Sequence, residues 1–297
     1  MSGHDATRFA GLRFPVQPLL HLDELWIQVA GTECNLSCTH CFVSAGPGVD
    51  RHRQLSAAEV RAHVGEGLAL GVKEFYFTGG EPFVNPEMMA ILEETLASGP
   101  CTVLTNGTLF TTARIEALRV LAESARYSLE MRVSLDGITA AAHDRFRGAG
   151  TFARTIDALC ALERARLLPI VTLTHAEGVD VLAFREQAMA ALAGHGLERP
   201  RVKLLPMFQH GREAGRSRGY EASESLAGLA AEVFDPARLQ CGGCRCVTSQ
   251  GVFVCPLLVD EPGARMGARL ADTLFDFELG HGACYTCWVT GMSCANR

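Results

Sequence analysis

Between residues 25 and about 206 the chain alternates short, strongly apolar runs with longer stretches in which apolar positions recur at helical spacing. Residues 25–30, 74–78, 101–105, 131–135, 170–174 and 202–205 are rich in β-branched or aromatic side chains. Each run closes near Gly, Asn, Asp or Pro, which predicts six strands. Residues 57–70, 86–97, 112–124, 152–167 and 181–194 are predicted helices. Ser56 with Glu59 has the spacing of a capping box ahead of the first, and the Thr151 hydroxyl is placed to cap the fourth. Strands alternating with helices predict an α/β fold, a parallel sheet with right-handed crossovers that curls into a partial (β/α)6 TIM-like barrel. Ligands on such a fold bind where strands end at their C-termini. The loops expected there are 31–41, 79–82, 106–107 and 136–137.

The pattern changes after Pro206. Residues 210–219 are polar and rich in Gly and Arg and read as a linker loop, and 223–234 have helical composition. From Cys241 onward Cys and Gly crowd together with only short apolar runs, as in a small domain held by metal. The expected organisation is an N-terminal extension over 1–24, a partial barrel over 25–215, a linker helix within 216–240 and a small cysteine-rich domain over 241–297.

Composition narrows the chemistry. The chain has 297 residues, 48% of them hydrophobic, enough for a substantial core. The net charge of -6, with no basic stretch, argues against a nucleic-acid partner. No apolar run reaches the roughly 20 residues that span a bilayer, and no signal core opens the chain, so a cytoplasmic protein without a membrane partner is expected. Twelve cysteines in a reducing compartment read as metal ligands. Three fall in 34–41 and seven in 241–294, whereas Cys101 and Cys160 stand apart as small buried hydrophobes.

Cys34, Cys38 and Cys41 place three thiolates within eight residues. A [4Fe–4S] cubane takes four ligands, so three local cysteines leave one iron open, which suits catalysis. Zinc would require a fourth nearby ligand, for which His40 is strained by its adjacency to Cys41. The CxxxCxxC spacing, followed after the second predicted strand by Gly79, Gly80, Glu81 and Pro82, resembles the radical S-adenosylmethionine (SAM) superfamily over residues 25 to about 210. That resemblance implies a cluster on Cys34, Cys38 and Cys41 whose fourth iron takes the methionyl amine and carboxylate of SAM. It also implies reductive cleavage of SAM to a 5′-deoxyadenosyl radical that abstracts hydrogen from a substrate C–H bond. His40 would lie beside the adenine, where the family carries an aromatic residue. Gly79, Gly80, Glu81 and Pro82 would meet the methionyl amine, the glycines by close approach and Glu81 as acceptor. Asn106, Ser134 and Asp136 fall where the family contacts ribose and methionine, and Arg147 suits the methionyl carboxylate. Ordinary turn and capping chemistry is the alternative for these four.

The second cysteine group, Cys241, Cys244, Cys246, Cys255, Cys284, Cys287 and Cys294, resembles the twitch domain of some of these enzymes and, incompletely, the longer SPASM domain. One auxiliary [4Fe–4S] cluster on Cys241, Cys255, Cys284 and Cys287 is expected, with Cys294 or Cys246 as substitutes and a zinc knuckle as the alternative. Cys246 or Cys244 is then a candidate hydrogen-atom donor, as in aminoglycoside epimerases, or an inert thiol.

The expected function is epimerisation or oxidation of a small polar metabolite such as an aminosugar, with a flavodoxin or ferredoxin type reductant. The 24 residues before the first strand leave no room for the leader-docking domain of peptide-modifying relatives, so a peptide substrate is the alternative. An iron–sulfur electron carrier or a zinc-stabilised interaction module is the non-enzymatic alternative. Arg212, Arg216 and Arg218 line either an anion entrance or a solvated loop.

Overall fold

The computed structural model describes residues 13–175 and 178–291. Strands β1 (Glu24–Gln28), β2 (Glu74–Thr78), β3 (Cys101–Thr105), β4 (Leu129–Leu135), β5 (Ile170–His175) and β6 (Arg201–Pro206) lie side by side in chain order, each parallel to the next. Helices α1 (Ala57–Ala69), α2 (Met88–Leu96), α3 (Thr112–Ser124), α4 (Ala140–Arg147), α5 (Thr151–Arg164) and α6 (Val181–Gly194) occupy the crossovers. β6 is an edge of the sheet and does not pair with β1, so the barrel stays open. This is the partial-barrel α/β class expected from the sequence.

Side-chain alternation sorts each strand into two faces. Leu25, Ile27, Phe75, Phe77, Val103, Met131, Val133, Val171 and Leu173 pack with the helices in one core. Each such fully buried side chain contributes about 1.5–3 kcal/mol. The opposite face carries Trp26 and Tyr76, stacked with ring centroids 4.3 Å apart. The Arg132 guanidinium lies 5.5 Å from the Tyr76 ring centroid and donates through Nε to Glu130 at 2.9 Å. Tyr76 Oη donates to Glu74 at 2.9 Å. The concave face is thus polar and charged, but its charges are paired.

The cysteine-rich segment extends this same sheet. β7 (Cys244–Thr248) lies parallel to β1 on the side away from β2, with Trp26 opposite Cys246. β8 (Gly251–Phe253) returns antiparallel and β9 (Arg265–Gly267) closes the row. Arg245 is 1% exposed and donates to the carbonyls of Thr273, Cys241, Cys244 and Phe275 at 2.8–3.0 Å. A buried guanidinium satisfied by four carbonyls knits the segment together.

Several local expectations are corrected. Residues 210–219 include a short helix, α7 (Arg212–Arg216), rather than only loop. Residues 223–234 form turns, not a helix. Gly228 adopts φ +75° and donates its N–H to Arg13 O, a tertiary contact that interrupts helical propensity. Gly150, not Thr151, is the N-cap of α5, and the Asp144 carboxylate accepts from the Gly150 and Phe152 N–H groups at 2.7 and 2.8 Å. Cys101 is 1% exposed, as expected, whereas Cys160 is only half-buried. Part of the 1–24 extension lies outside the described residues.

Candidate functional site

The loop leaving β1 carries Cys34 and Cys38, both buried, and Cys41, half-buried. Backbone N–H groups of Leu36 and Ala45 donate to Cys34 Sγ and Cys41 Sγ, each at 3.4 Å. Burial pushes the Cys34 thiol up to about 12 against the opposing Leu36 hydrogen bond, and burial raises Cys38 against the opposing charge of Arg147. A bound metal centre supplies the positive charge that deprotonates such thiols. One zinc ion with bonds of about 2.3 Å would draw its sulfurs within about 4.6 Å of one another. Among the described residues, the group whose potential ligand atoms all lie within 4.8 Å is His210, Glu261 and His281, and neither cysteine group is gathered so closely. The N–H···S bonds to Cys34 and Cys41 suit thiolates that ligate a metal centre.

Gly79 and Gly80 pack on this loop. A Cβ at Gly80 would lie 1.9 Å from Glu33 O, and Gly79 has φ +131°. The Gly80 and Glu81 N–H groups donate to Gly31 and Glu33 carbonyls at 2.9 and 3.0 Å. These glycines therefore admit the cysteine loop itself, where the sequence suggested close approach to a ligand. Glu81 lies in the same turn. It is fully buried, and its carboxylate accepts from Asn106 N–H and Thr105 Oγ1, both at 2.7 Å, and from Phe83 N–H at 3.2 Å. With these three donors its side chain joins the β2 and β3 loops. Burial raises its pKa, opposed first by the Asn106 hydrogen bond. Pro82 opens the short 3-10 turn that follows.

Asn106 stands next to the cysteines: its Nδ2 lies 3.9 Å from Cys34 Sγ and donates to Asn35 Oδ1 at 2.9 Å. Ser134 is half-buried near the end of β4. Asp136, His40 and Arg147 form one cluster. His40 Nε2 is 3.1 Å from Asp136 Oδ2, and Arg147 Nε donates to the same oxygen. Burial alone would raise the Asp136 carboxyl, but Arg147 and then His40 hold it well below the usual range. Arg147 is thus paired within the chain. His40 Nδ1 and Asp136 Oδ1 are buried without a hydrogen-bond partner in the protein. Orphaned polar atoms of this kind suit a site that receives a polar ligand.

A second, largely apolar cavity is lined by Cys241, Cys255, Cys284 and Cys287, with Leu239, Leu257, Leu258 and Leu279. These are the four cysteines grouped from the sequence. α8 (Gly282–Thr290) sets Cys284 and Cys287 one turn apart on one face. Burial pushes Cys284 up to about 12 and Cys241 well above its ordinary value. Cys244 and Cys246 are 0% exposed on β7 and do not line this cavity; the Cys244 thiol donates to Val254 O at 3.8 Å. A hydrogen donor must touch its substrate, and both thiols are enclosed. Cys294 lies outside the described residues.

Sequence reasoning missed the group His210, Glu261 and His281, since its members are far apart in the chain. His210 Nε2 and His281 Nε2 lie 3.7 and 3.8 Å from Glu261 Oε1. His281 Nδ1 accepts from Ala283 N–H at 3.0 Å as the cap of α8, which leaves the ring proton on Nε2. That nitrogen is therefore a donor toward Glu261, not a metal ligand. Also missed was the part played by Arg212 on the cysteine loop, whose backbone N–H donates to Cys41 O at 3.0 Å and whose Nη1 donates to Cys38 O at 2.8 Å. Among the described residues no helix is long and apolar enough to cross a membrane.

Residues 29–176 match the family model described as the radical SAM superfamily. The chain is 34% identical over 142 residues to the AdoMet-dependent heme synthase of Methanosarcina barkeri, covering 47% of this chain and 38% of that protein. It is 34% identical over 124 residues to the subtilosin biosynthesis protein AlbA of Bacillus subtilis, covering 41% and 26%. It is 29% identical over 218 residues to the PqqA peptide cyclase of Ruegeria pomeroyi, covering 68% and 56%. The chain thus spans well under two thirds of these relatives. In fold it resembles Streptococcus suis SuiB bound to its precursor peptide SuiA, with a TM-score of 0.63, 15% identity and coverage of 86% of this chain and 65% of that one. Proteins of this superfamily use a [4Fe–4S] cluster with SAM, and the relatives of SPASM or twitch type imply auxiliary clusters.

Proposed function

Residues 29–176 being a radical SAM domain, we propose that the chain cleaves SAM reductively and abstracts hydrogen from a peptide substrate. The observation that carries the first part is the loop of Cys34, Cys38 and Cys41, with its N–H···S bonds, seated on Gly79, Gly80 and Glu81 at the strand ends. When bound, the cluster and SAM supply the 5′-deoxyadenosyl radical. The chain's own residues shape the site for it. Cys34, Cys38 and Cys41 would ligate the cluster, and Asn106 presents an amide toward Cys34 Sγ. His40 and Asp136 offer Nδ1 and Oδ1 to ligand hydroxyls. Cys241, Cys255, Cys284 and Cys287 hold an auxiliary cluster in their apolar cavity.

The peptide reading replaces the small-metabolite expectation because relatives named for bacteriocin biosynthesis, AlbA, and for peptide cyclisation, the PqqA peptide cyclase, align with the chain. The SuiB structure carrying SuiA supports it in fold alone. Reconstituted under anaerobic conditions and supplied with SAM and dithionite, the protein is expected to release 5′-deoxyadenosine. With a precursor peptide encoded beside it, the peptide mass is expected to change. No 5′-deoxyadenosine would remove the enzymatic reading. Turnover of an aminosugar but of no peptide would restore the metabolite reading.

A further inference from the structure

We infer that the open concavity lined by Thr39, Arg145, Phe146, Arg212, Gly215 and Arg216 is the docking face for a small acidic electron-carrier protein that delivers electrons to the Cys34, Cys38 and Cys41 loop. The inference rests on the proposed function, which requires an electron from outside the chain.

Charge supplies the first argument. The concavity measures about 570 Å³ and is lined by three guanidinium groups and no carboxylate, on a chain whose net charge is -6. Arg216 is neutralised by Glu213, at 2.8 and 2.7 Å. Among the described residues, Arg145 and Arg212 face no carboxylate at ion-pair distance. The positive charges are also held in place. Arg145 and Arg216 lie 4.5 and 5.0 Å from the Phe146 ring centroid, within cation–π range. A preorganised positive rim steers an acidic partner and fixes its orientation more than it adds affinity.

Position supplies the second. The Arg212 bonds to Cys38 O and Cys41 O tie this face directly to the cysteine loop, and Thr39, the residue after Cys38, forms part of its wall and donates its N–H to Phe146 O at 2.8 Å. Thr39, Arg145 and Arg216 are exposed. An open concavity suits a short-lived protein complex, whereas radical chemistry on a substrate requires a closed site. One electron would leave the carrier, whose redox group would be oxidised, and a cluster held by the loop would be the one-electron acceptor. No proton or chemical group moves with it.

Gly215 offers a test that leaves the ligand-holding residues untouched, because a Cβ there meets nothing within 4 Å. The full chain, reconstituted anaerobically, carries Gly215→Glu, Gly215→Ala or Gly215→Lys. Binding of a flavodoxin, an acidic one-electron flavoprotein, is measured by calorimetry at low and high salt. 5′-deoxyadenosine is measured with photoreduced flavodoxin and, separately, with dithionite. Gly215→Glu is expected to weaken flavodoxin binding about tenfold at low salt and less at high salt, while Gly215→Lys tightens it. Gly215→Ala should match the wild type, and dithionite-driven 5′-deoxyadenosine should be equal in all four proteins. Equal flavodoxin binding by the Glu and Lys forms overturns the inference, as does a charge effect seen only on binding of an acidic peptide. Loss of 5′-deoxyadenosine with dithionite in the wild type would sink the proposed function instead, and the binding series would still decide the docking face.

Discussion

Glu81 accepts a 2.7 Å hydrogen bond from the backbone N–H of Asn106, joining the turn after β2 to the turn after β3 within a fully buried carboxylate site. Two further donors, Thr105 Oγ1 and Phe83 N–H, converge on the same group. Glu81→Ala would strand these donors in the interior and is expected to destabilise the folded chain by about 3 kcal/mol. The iron content should fall with it, since the carboxylate fixes the turn whose backbone N–H donates to Glu33 O, one residue before Cys34. Anaerobic denaturant unfolding with iron analysis checks both, and a variant of wild-type stability and iron content would show the three bonds to be dispensable.

Gly80→Ala asks whether the glycine serves the cysteine loop. A methyl there would sit 1.9 Å from Glu33 O, backbone that cannot yield without moving the loop. The expected outcome is loss of most iron bound by Cys34, Cys38 and Cys41, while the auxiliary cysteines keep theirs. Mössbauer or iron counting per chain separates the two, and full occupancy of both sites would refute this reading.

The two cysteine groups predict different metal counts on substitution. Two cubanes give about eight irons per chain. Cys255→Ser with Cys284→Ser should reduce this to about four, since both line the second cavity. Cys244→Ser or Cys246→Ser should leave it unchanged, because both thiols are enclosed outside that cavity. Zinc recovered in place of the lost iron would revive the knuckle arrangement.

His143 supplies a pH dependence. Burial first, then the charge of Arg147, pushes it down to about 4, and its Nδ1 accepts from the Asp136 N–H at 3.1 Å. The folded state holds it neutral while the unfolded chain takes up the proton near pH 6.5, so stability is lost as pH falls below that value. Linkage gives a loss of about 1.4 kcal/mol between pH 8 and pH 5.5. That increment should be missing from His143→Gln when unfolding free energies of the two proteins are compared at both pH values. An equal acid loss in both would mean His143 does not carry it.

Local signals made much of this molecule readable in advance. The runs at 74–78 and 101–105 coincide with β2 and β3, and helix boundaries at 112–124 and 181–194 match α3 and α6. The capping box of Ser56 and Glu59 forms, with the Ser56 N–H donating to Glu59 at 2.9 Å. These features depend on neighbours within a turn or on strand-period burial, and propensity and patterning act at that range. α4 escaped notice because its helical run, Ala140–Arg147, is short and half polar. The turn region 223–234 was misread because its conformation depends on Arg13, more than two hundred residues away in the chain.

By itself the sequence determined the alternation of strands and helices, the spacing of Cys34, Cys38 and Cys41, and the CxxC spacing of Cys284 and Cys287. Each is a short-range property, set by covalent spacing and by which face of an element is apolar. Tertiary structure alone decided that β7 adds to the sheet beside β1, that Glu81 answers donors from the β3 turn, and that Arg147 pairs with Asp136. It also brought Cys241 and Cys255 to the cavity of Cys284 and Cys287. The partner of a buried polar group is whatever the packed chain places against it, because burial removes the alternative of water.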